Sequence, residues 1–232
     1  MHVERQRVEP ADALAAAFMA AGGKIDANEP HEEGKADYSE KIRTLAASGV
    51  DTLVVLAYAN GSGQTIIRQA VESGDFDQFV GGDGMVNDTL IGAIGADKLR
   101  GMIATKPGVP DTKSARFFKK LALEDDLNPT ATFAAQSYDA AFLLALAIEK
   151  NGGAKREGLS KALRAVANAP GEVIRPGEWQ KAKALLKAGK EINYEGATGN
   201  LEFDKAGDVS GVIIEMGVYV RYGSFIEFGQ IQ

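Results

Sequence analysis

The residues best suited to chemistry follow two apolar runs that are typical of buried strands. Tyr58 ends the run 52–58, and Asp83 follows the run 78–82. Ligands of open α/β sheets bind beyond the carboxyl ends of the strands, so neighbouring strands would place both side chains on one rim. An aromatic ring and a carboxylate could bind a small zwitterion there, with Asp83 receiving its ammonium group.

The segment that precedes the second predicted helix adds a possible anion site. Asn60 and the residues up to Gly63 would present backbone N–H groups at a helix N-terminus, which suits a ligand carboxylate. An ordinary alternative stays open, in which Tyr58 is a packing residue and Asp83 is the N-cap of a helix over 86–97.

The same segment also resembles a dinucleotide-binding turn. Gly61 and Gly63 open a helix after a strand, and Asp83 follows Gly63 by 20 residues. The third glycine position is Ile66, however, whose side chain would interfere with close helix–strand packing. Ile66 therefore argues against a dinucleotide site, and a nucleotide-dependent oxidoreductase stays an alternative.

Few other residues offer catalytic or metal chemistry. The chain has no cysteine, and its two histidines are His2 and His31. The segment 31–35 ends in Lys35 and so lacks the second histidine of a zinc motif; it predicts a solvated acidic loop. Nucleophile-elbow and P-loop motifs are absent from the sequence. We expect no enzyme activity, no metal and no cofactor.

The amino-acid composition limits the kinds of partner that this chain could bind. The 232 residues carry a net charge of −6, which argues against nucleic acid, because protein affinity for phosphates comes mainly from Lys and Arg. No run of about 18 apolar residues predicts a membrane span. Residues 1–7 lack the apolar stretch of a signal peptide.

Strand and helix patterns alternate through the first part of the chain, which predicts a parallel sheet with right-handed crossovers. The predicted strands are 24–27, 52–58, 78–82 and 100–105. Two of the predicted helices are 62–73 and 87–97. A further helix is predicted before them, with Asp37 as its N-cap and Gly49 as the left-handed residue after its end.

Helices and then strands are predicted for the rest. The helices are 114–124, 132–150, 158–167 and 179–188, and the strand-like segments are 201–203 and 212–222. Helix 132–150 is apolar over most of its surface and must be covered. We expect Phe133, Phe142, Leu143, Leu146 and Ile148 to leave apolar surface exposed, which would promote self-association.

Several short segments in a fixed order resemble the periplasmic solute-binding proteins of branched-chain amino-acid ABC transporters. The resemblance covers residues 12–228 and includes Tyr58 and the segment 81–85. Its other markers are the segments 37–39, 134–141, 169–172, 176–178, 194–199, 203–204 and 207–208.

The resemblance implies a fold, a function and a site. The implied fold is α/β, of the type I periplasmic-binding kind, in which two lobes close on a ligand. The implied function is non-catalytic delivery of an amino acid or similar amine to a membrane permease from the periplasm; a cytoplasmic sensing module of the same fold is an alternative. The implied ligand-binding residues are Tyr58, Asn60, Gly82, Asp83 and Gly84, with Asp83 on the α-ammonium.

The resemblance also implies that this chain lacks about 120 residues that build most of lobe one in the family. We therefore expect one near-complete parallel-sheet lobe plus the C-terminal helices of the other. The expected divisions are an α/β lobe at 1–110, a helical segment completing lobe one at 111–192, and a β meander returning to lobe two at 193–232.

Overall fold

The computed structural model describes residues 10–231, and the predictions for residues 1–7 and His2 lie outside that range. The helices are α1 Pro10–Ala20, α2 Ser39–Ala46, α3 Ser62–Ser73, α4 Asp88–Ile94, α5 Lys113–Glu124, α6 Ala134–Asn151, α7 Leu159–Ala167 and α8 Trp179–Lys187. The strands are β1 Thr52–Val55, β2 Gln78–Gly81, β3 Ile103–Pro107, β4 Glu172–Ile174, β5 Ile192–Gly196, β6 Gly199–Asn200, β7 Ile213–Tyr219 and β8 Ser224–Ile231.

These elements form two compact units. Unit one contains the described residues up to Lys106 together with Glu215–Gly229, and unit two contains Pro107–Ile214 and the described residues from Gln230 onward. The α/β fold class is confirmed. Residues 193–214 belong to unit two in the structure, and the assignment of chain segments to lobes stays a prediction.

Unit one is built on a sheet with strand order β1-β2-β3-β7-β8. β1 and β2 are parallel neighbours, with Val55 opposite Gly81, and β2 and β3 are also parallel, with Gly81 opposite Ala104. The predicted parallel sheet is therefore confirmed. The prediction of a strand at 24–27 is wrong, because this segment forms no strand. It contains a single large apolar residue, and its Lys24 forms an ion pair with Asp26.

The ends of α2 show one prediction confirmed and one corrected. Gly49 has a φ of +77°, and its N–H bonds to the Ala46 carbonyl, as expected for the left-handed residue after a helix. Asp37 is not the N-cap, because the helix begins one residue later than predicted and Tyr38 precedes it. The Asp37 carboxylate accepts the Ser39 N–H at 2.9 Å instead.

Helices α3 and α4 lie on one face of this sheet, because successive right-handed crossovers in one direction place their helices on the same side. Leu53, Val55 and Phe79 are buried on that face, in a core that includes Ile67 and Leu90. The alternate residues form a row across the strands, Val54 opposite Val80 and Val80 opposite Ile103. Val54 and Ile103 are 39% and 40% exposed, so this face carries uncovered apolar surface.

We expect this row to bind a hydrophobic dye. Replacing Val54 and Ile103 together by threonine keeps the β-branched shape that strands favour and removes apolar surface, so dye fluorescence should fall by about half or more. Leu144→Gln, at a residue of α6 that is 44% exposed, is the control and should change the signal little. Undiminished dye binding in the double variant would contradict this assignment.

Unit two packs α6 and α7 against the second sheet, of order β4-β5-β6. Leu143 and Leu146, which we expected to leave apolar surface exposed, are 4% and 0% exposed within a core that α7, α8 and β5 complete. For these two residues the prediction of exposed apolar surface is therefore wrong, since their partner elements lie within this chain, and Phe142 and Ile148 are half-buried. Phe133 and Leu144 are still exposed, and self-association stays a prediction.

A buried carboxylate joins α6 to the β5–β6 hairpin. Asp139 is 2% exposed and accepts four hydrogen bonds. Its donors are the Tyr194 hydroxyl at 2.8 Å, the Ala197 N–H at 2.8 Å, and the Thr198 N–H and hydroxyl at 2.8 and 2.7 Å. Burial and the nearby carboxylate raise the pKa of Tyr194 far above its ordinary value, so its hydroxyl stays protonated and donates.

Candidate functional site

The structure brings together the two loops that follow β1 and β2. Both strands are shorter than predicted, because β1 ends at Val55 and β2 at Gly81, so Tyr58 and Asp83 lie in loops just beyond the strand ends. The Ala59 N–H donates to the Gly84 carbonyl at 2.8 Å, which ties one loop to the other. The predicted rim therefore exists, and the roles of its residues in binding stay predictions.

Asp83 begins a short 3₁₀ turn, 83–85, in which it is half-buried. It does not cap the next helix: α4 is capped by Asn87, whose side chain accepts the Thr89 N–H at 2.9 Å. Within residues 10–231, no hydrogen bond or ion pair engages the Asp83 carboxylate. The ordinary alternative for Asp83, an N-cap, is therefore wrong.

Tyr58 projects from the neighbouring loop and is 67% exposed, so it is not a packing residue of the core. Its carbonyl accepts the N–H groups of Gly61 and Gly63 at 3.0 and 3.1 Å. A Cβ at Gly63 would lie 2.6 Å from that carbonyl oxygen, so only glycine fits this close approach. The backbone of Tyr58 is thus fixed by the turn that opens α3, while its ring faces solvent.

The amides at the N-terminus of α3 are engaged by the chain itself, contrary to our expectation that they await a ligand carboxylate. Gly61 and Gly63 donate to Tyr58, and the Ser62 N–H donates to the Glu33 carboxylate at 2.7 Å. The Ser62 hydroxyl donates to the other oxygen of Glu33. A nucleotide pyrophosphate would need these same amides, which weakens the oxidoreductase alternative.

The segment 31–35 is the predicted solvated loop, since residues 32–35 are exposed, but Glu33 also makes a contact that we did not expect. Glu32 is exposed as expected and pairs with Lys35 at 3.1 Å. Glu33, however, bonds twice to Ser62, and the His31 ring lies 3.1 Å from the Ser62 hydroxyl. No local pattern in the sequence could have indicated this contact, because 29 residues separate the two partners.

The structure also describes the three remaining predicted site residues. Asn60 is exposed, and Gly82 is half-buried, with its carbonyl accepting the Met85 N–H at 3.0 Å. A Cβ on Gly82 would meet only Leu56, at an ordinary 3.8 Å. Gly84 is different, because a Cβ there would lie 2.6 Å from the Ala57 carbonyl oxygen and 3.0 Å from the Tyr58 ring.

We therefore expect Gly84→Ala to push the Tyr58 loop away from β2. The overpacking should cost about 1–3 kcal/mol of unfolding free energy in urea. Gly92→Ala, in α4, is the matched control: its Cβ would meet nothing within 4 Å, and the change should be neutral or stabilising by up to about 1 kcal/mol. Equal stabilities of the two variants would contradict the close contact at Gly84.

Two other kinds of feature are absent from the part of the chain that the structure describes. Residues 10–231 contain no group of three or more acidic, histidine or cysteine side chains able to hold a metal ion. In the same range, no helix is both long and apolar enough to cross a membrane.

The chain belongs to the periplasmic binding protein family, whose match covers residues 6–207. It is 29% identical over 191 residues to a leucine-, isoleucine-, valine-, threonine- and alanine-binding protein of Pseudomonas aeruginosa, which covers 82% of this chain and 43% of that protein. It is 35% identical over 91 residues to a chemotactic substrate-binding protein of Halobacterium salinarum, covering 39% of this chain and 22% of that protein.

Solved structures show the same fold. A leucine-binding protein from Thermotoga maritima matches with a TM-score of 0.68 at 21% identity, over 96% of this chain and 56% of that one. A branched-chain amino-acid substrate-binding protein from Streptococcus pneumoniae, in complex with isoleucine, matches with a TM-score of 0.60 at 21% identity, over 94% and 56%. A solute-binding protein from R. palustris, in complex with benzoate, matches with a TM-score of 0.56 at 16% identity, over 93% and 52%.

The expected fold and family are thereby confirmed. The chain spans about half the length of the solved structures, and 43% of the Pseudomonas protein.

Proposed function

We propose that this chain carries part of the amino-acid site of a periplasmic solute-binding protein that serves an ABC transporter permease, without catalysing a reaction. The half-buried carboxylate of Asp83 is the observation that carries the proposal, since no described side chain neutralises it. A carboxylate at the end of a parallel strand is suited to a ligand ammonium group.

The Tyr58 ring provides the second part of the proposed site. It follows the strand next to that of Asp83 and is largely exposed, so it can cover an apolar side chain of the ligand. Asn60 and the backbone of Gly82 and Gly84 line the same rim in this proposal.

The chemistry of Asp83 favours an amino acid over an aromatic carboxylate. Solved relatives of this fold hold isoleucine in one case and benzoate in another, so the fold alone does not choose the ligand. Benzoate has no ammonium group, and its carboxylate would be repelled by Asp83 at close range. The similarity to a chemotactic substrate-binding protein does not change this proposal, because binding of the ligand would be the first step in chemotactic signalling as well as in transport.

Fluorescence titration of the chain tests the ligand class. We expect the tyrosine signal to change with L-leucine, L-isoleucine or L-valine, and not with benzoate or NAD. Tyr58→Ala should reduce the response and weaken binding by about tenfold, because it removes contact area and leaves the charge pair intact. A response to NAD alone would support the oxidoreductase alternative and contradict the proposal.

A further inference from the structure

We propose that Glu33 is a positioning residue for the Tyr58 side of this rim, acting through Ser62. The inference rests on the proposed function for its effect on ligand binding. Its structural part, the control of the Tyr58 loop by Glu33, stands on contacts within unit one.

The first contact is the pair of hydrogen bonds from Ser62. Ser62 is the first residue of α3 and only 2% exposed, and both its N–H and its hydroxyl donate to the Glu33 carboxylate. These bonds hold the pKa of the Glu33 carboxyl below its ordinary value, so it is ionised and accepts both at neutral pH. A Cβ on Gly61 would overlap the carboxylate, so glycine at this position leaves the room that the contact needs.

The second step connects Ser62 to the rim. The residues on either side of Ser62, Gly61 and Gly63, both donate their N–H groups to the Tyr58 carbonyl. Holding Ser62 in place therefore also holds the Tyr58 carbonyl in place. One residue after Tyr58, the Ala59 N–H donates to Gly84 in the loop that carries Asp83. The carboxylate of Glu33 is thus joined to the Asp83 loop by consecutive hydrogen-bonded backbone groups.

The third step shows that Glu33 is itself held in place. Tyr38 is 3% exposed, and its hydroxyl donates to the Glu32 carbonyl at 2.7 Å and accepts the Lys35 N–H at 3.0 Å. The Tyr38 N–H donates to the side chain of Gln69 in α3 at 2.8 Å. A buried ring therefore braces the turn that presents Glu33, and the turn is tied to the same helix that Glu33 caps.

Hydrogen exchange of single amides in the intact chain tests the inference. In Glu33→Gln we expect the Ala59 amide to exchange roughly tenfold faster, because the neutral amide binds the Ser62 donors less strongly. The Ile67 amide, inside α3, should keep its protection, which separates a local release of the loop from general destabilisation. Glu32→Gln is the matched control: it lies on the same turn, makes the same charge change and pairs with Lys35 rather than Ser62.

Unchanged exchange at Ala59 in Glu33→Gln would overturn the inference, and so would an equal change in Glu32→Gln. A parallel L-leucine titration should show affinity about three- to tenfold lower in Glu33→Gln than in Glu32→Gln. If Ala59 exchanges faster in Glu33→Gln but neither the wild-type chain nor either variant binds L-leucine, the proposed function would be refuted and the positioning of the loop by Glu33 would be supported.

Discussion

Asp83→Asn should weaken binding of an L-amino acid to this chain by at least tens of fold. A carboxylate only accepts hydrogen bonds, whereas an asparagine side chain presents both an acceptor and donors and carries no charge. Removing one member of a desolvated charge pair costs about 2–5 kcal/mol, which is roughly 30- to 3000-fold in affinity. Because Asp83 is only half-buried before binding, we expect the lower part of that range.

The matched control for this variant is Asp77→Asn. Asp77 is exposed and precedes β2, whereas Asp83 follows it, so the two residues flank opposite ends of one strand. Asp77→Asn should leave affinity unchanged within about twofold, since solvent ions screen an exposed charge at the end of the strand opposite to the proposed site. Both variants should unfold at nearly the wild-type temperature. Equal affinities of the two variants would show that Asp83 is an ordinary loop residue.

Asp139→Ala should produce the largest loss of stability that the structure predicts, about 3–5 kcal/mol in urea unfolding. The change leaves the buried hydroxyl of Tyr194 and two backbone N–H groups without their acceptor. Asp139→Asn should cost somewhat less, about 2–4 kcal/mol. The amide nitrogen of the asparagine would replace a carboxylate oxygen that accepts hydrogen bonds, so it would face a donor that it cannot accept from.

Glu149→Gln, on the same helix, is the control for Asp139. Its carboxylate lies 4.0 Å from the Lys183 ammonium in a partly exposed ion pair, and such pairs contribute about 0–1 kcal/mol. A loss below about 1 kcal/mol in Asp139→Ala would mean that the donors find other acceptors, and would contradict its role in joining α6 to the β5–β6 hairpin.

The sequence predicted the parallel sheet best where the apolar signal was continuous. The run 52–58 predicted a strand covered on both faces, which is wrong for β1 because Val54 is 39% exposed, but the alternation of strand and helix around it correctly indicated parallel pairing. The end of β1 was placed three residues too late, because Leu56 and Ala57 continue the apolar run into the loop. The hydrogen bonds of Tyr58 and Ala59 place these residues in the loop after β1, and the composition of the run does not reveal those bonds.

The elements that were missed have weaker or non-local signals. α1 is rich in alanine and carries exposed Leu14, Phe18 and Met19, so it lacks the single apolar face that marks an amphipathic helix. β4 and β6 have three and two residues, too few for a periodic pattern. The segment 201–203, predicted as a strand, forms none, and Asn168 bonds to Phe203 instead.

The candidate site was predictable in part. The positions of Tyr58 and Asp83 follow from the rule that ligands bind beyond strand ends, and adjacent parallel strands bring their loops together. The occupation of the α3 N-terminus was not predictable, since Glu33 reaches Ser62 only through the fold and through the turn that Tyr38 braces.

The most direct test of the account is calorimetric titration of the chain with L-leucine and with 4-methylpentanoate, which is leucine without its ammonium group. The account predicts that the wild-type chain binds L-leucine at least tens of fold more tightly, because only leucine can pair with Asp83. In Asp83→Asn the preference should shrink to a few-fold. Equal affinity of the wild-type chain for both compounds, or no binding of L-leucine at all, would contradict the proposed site.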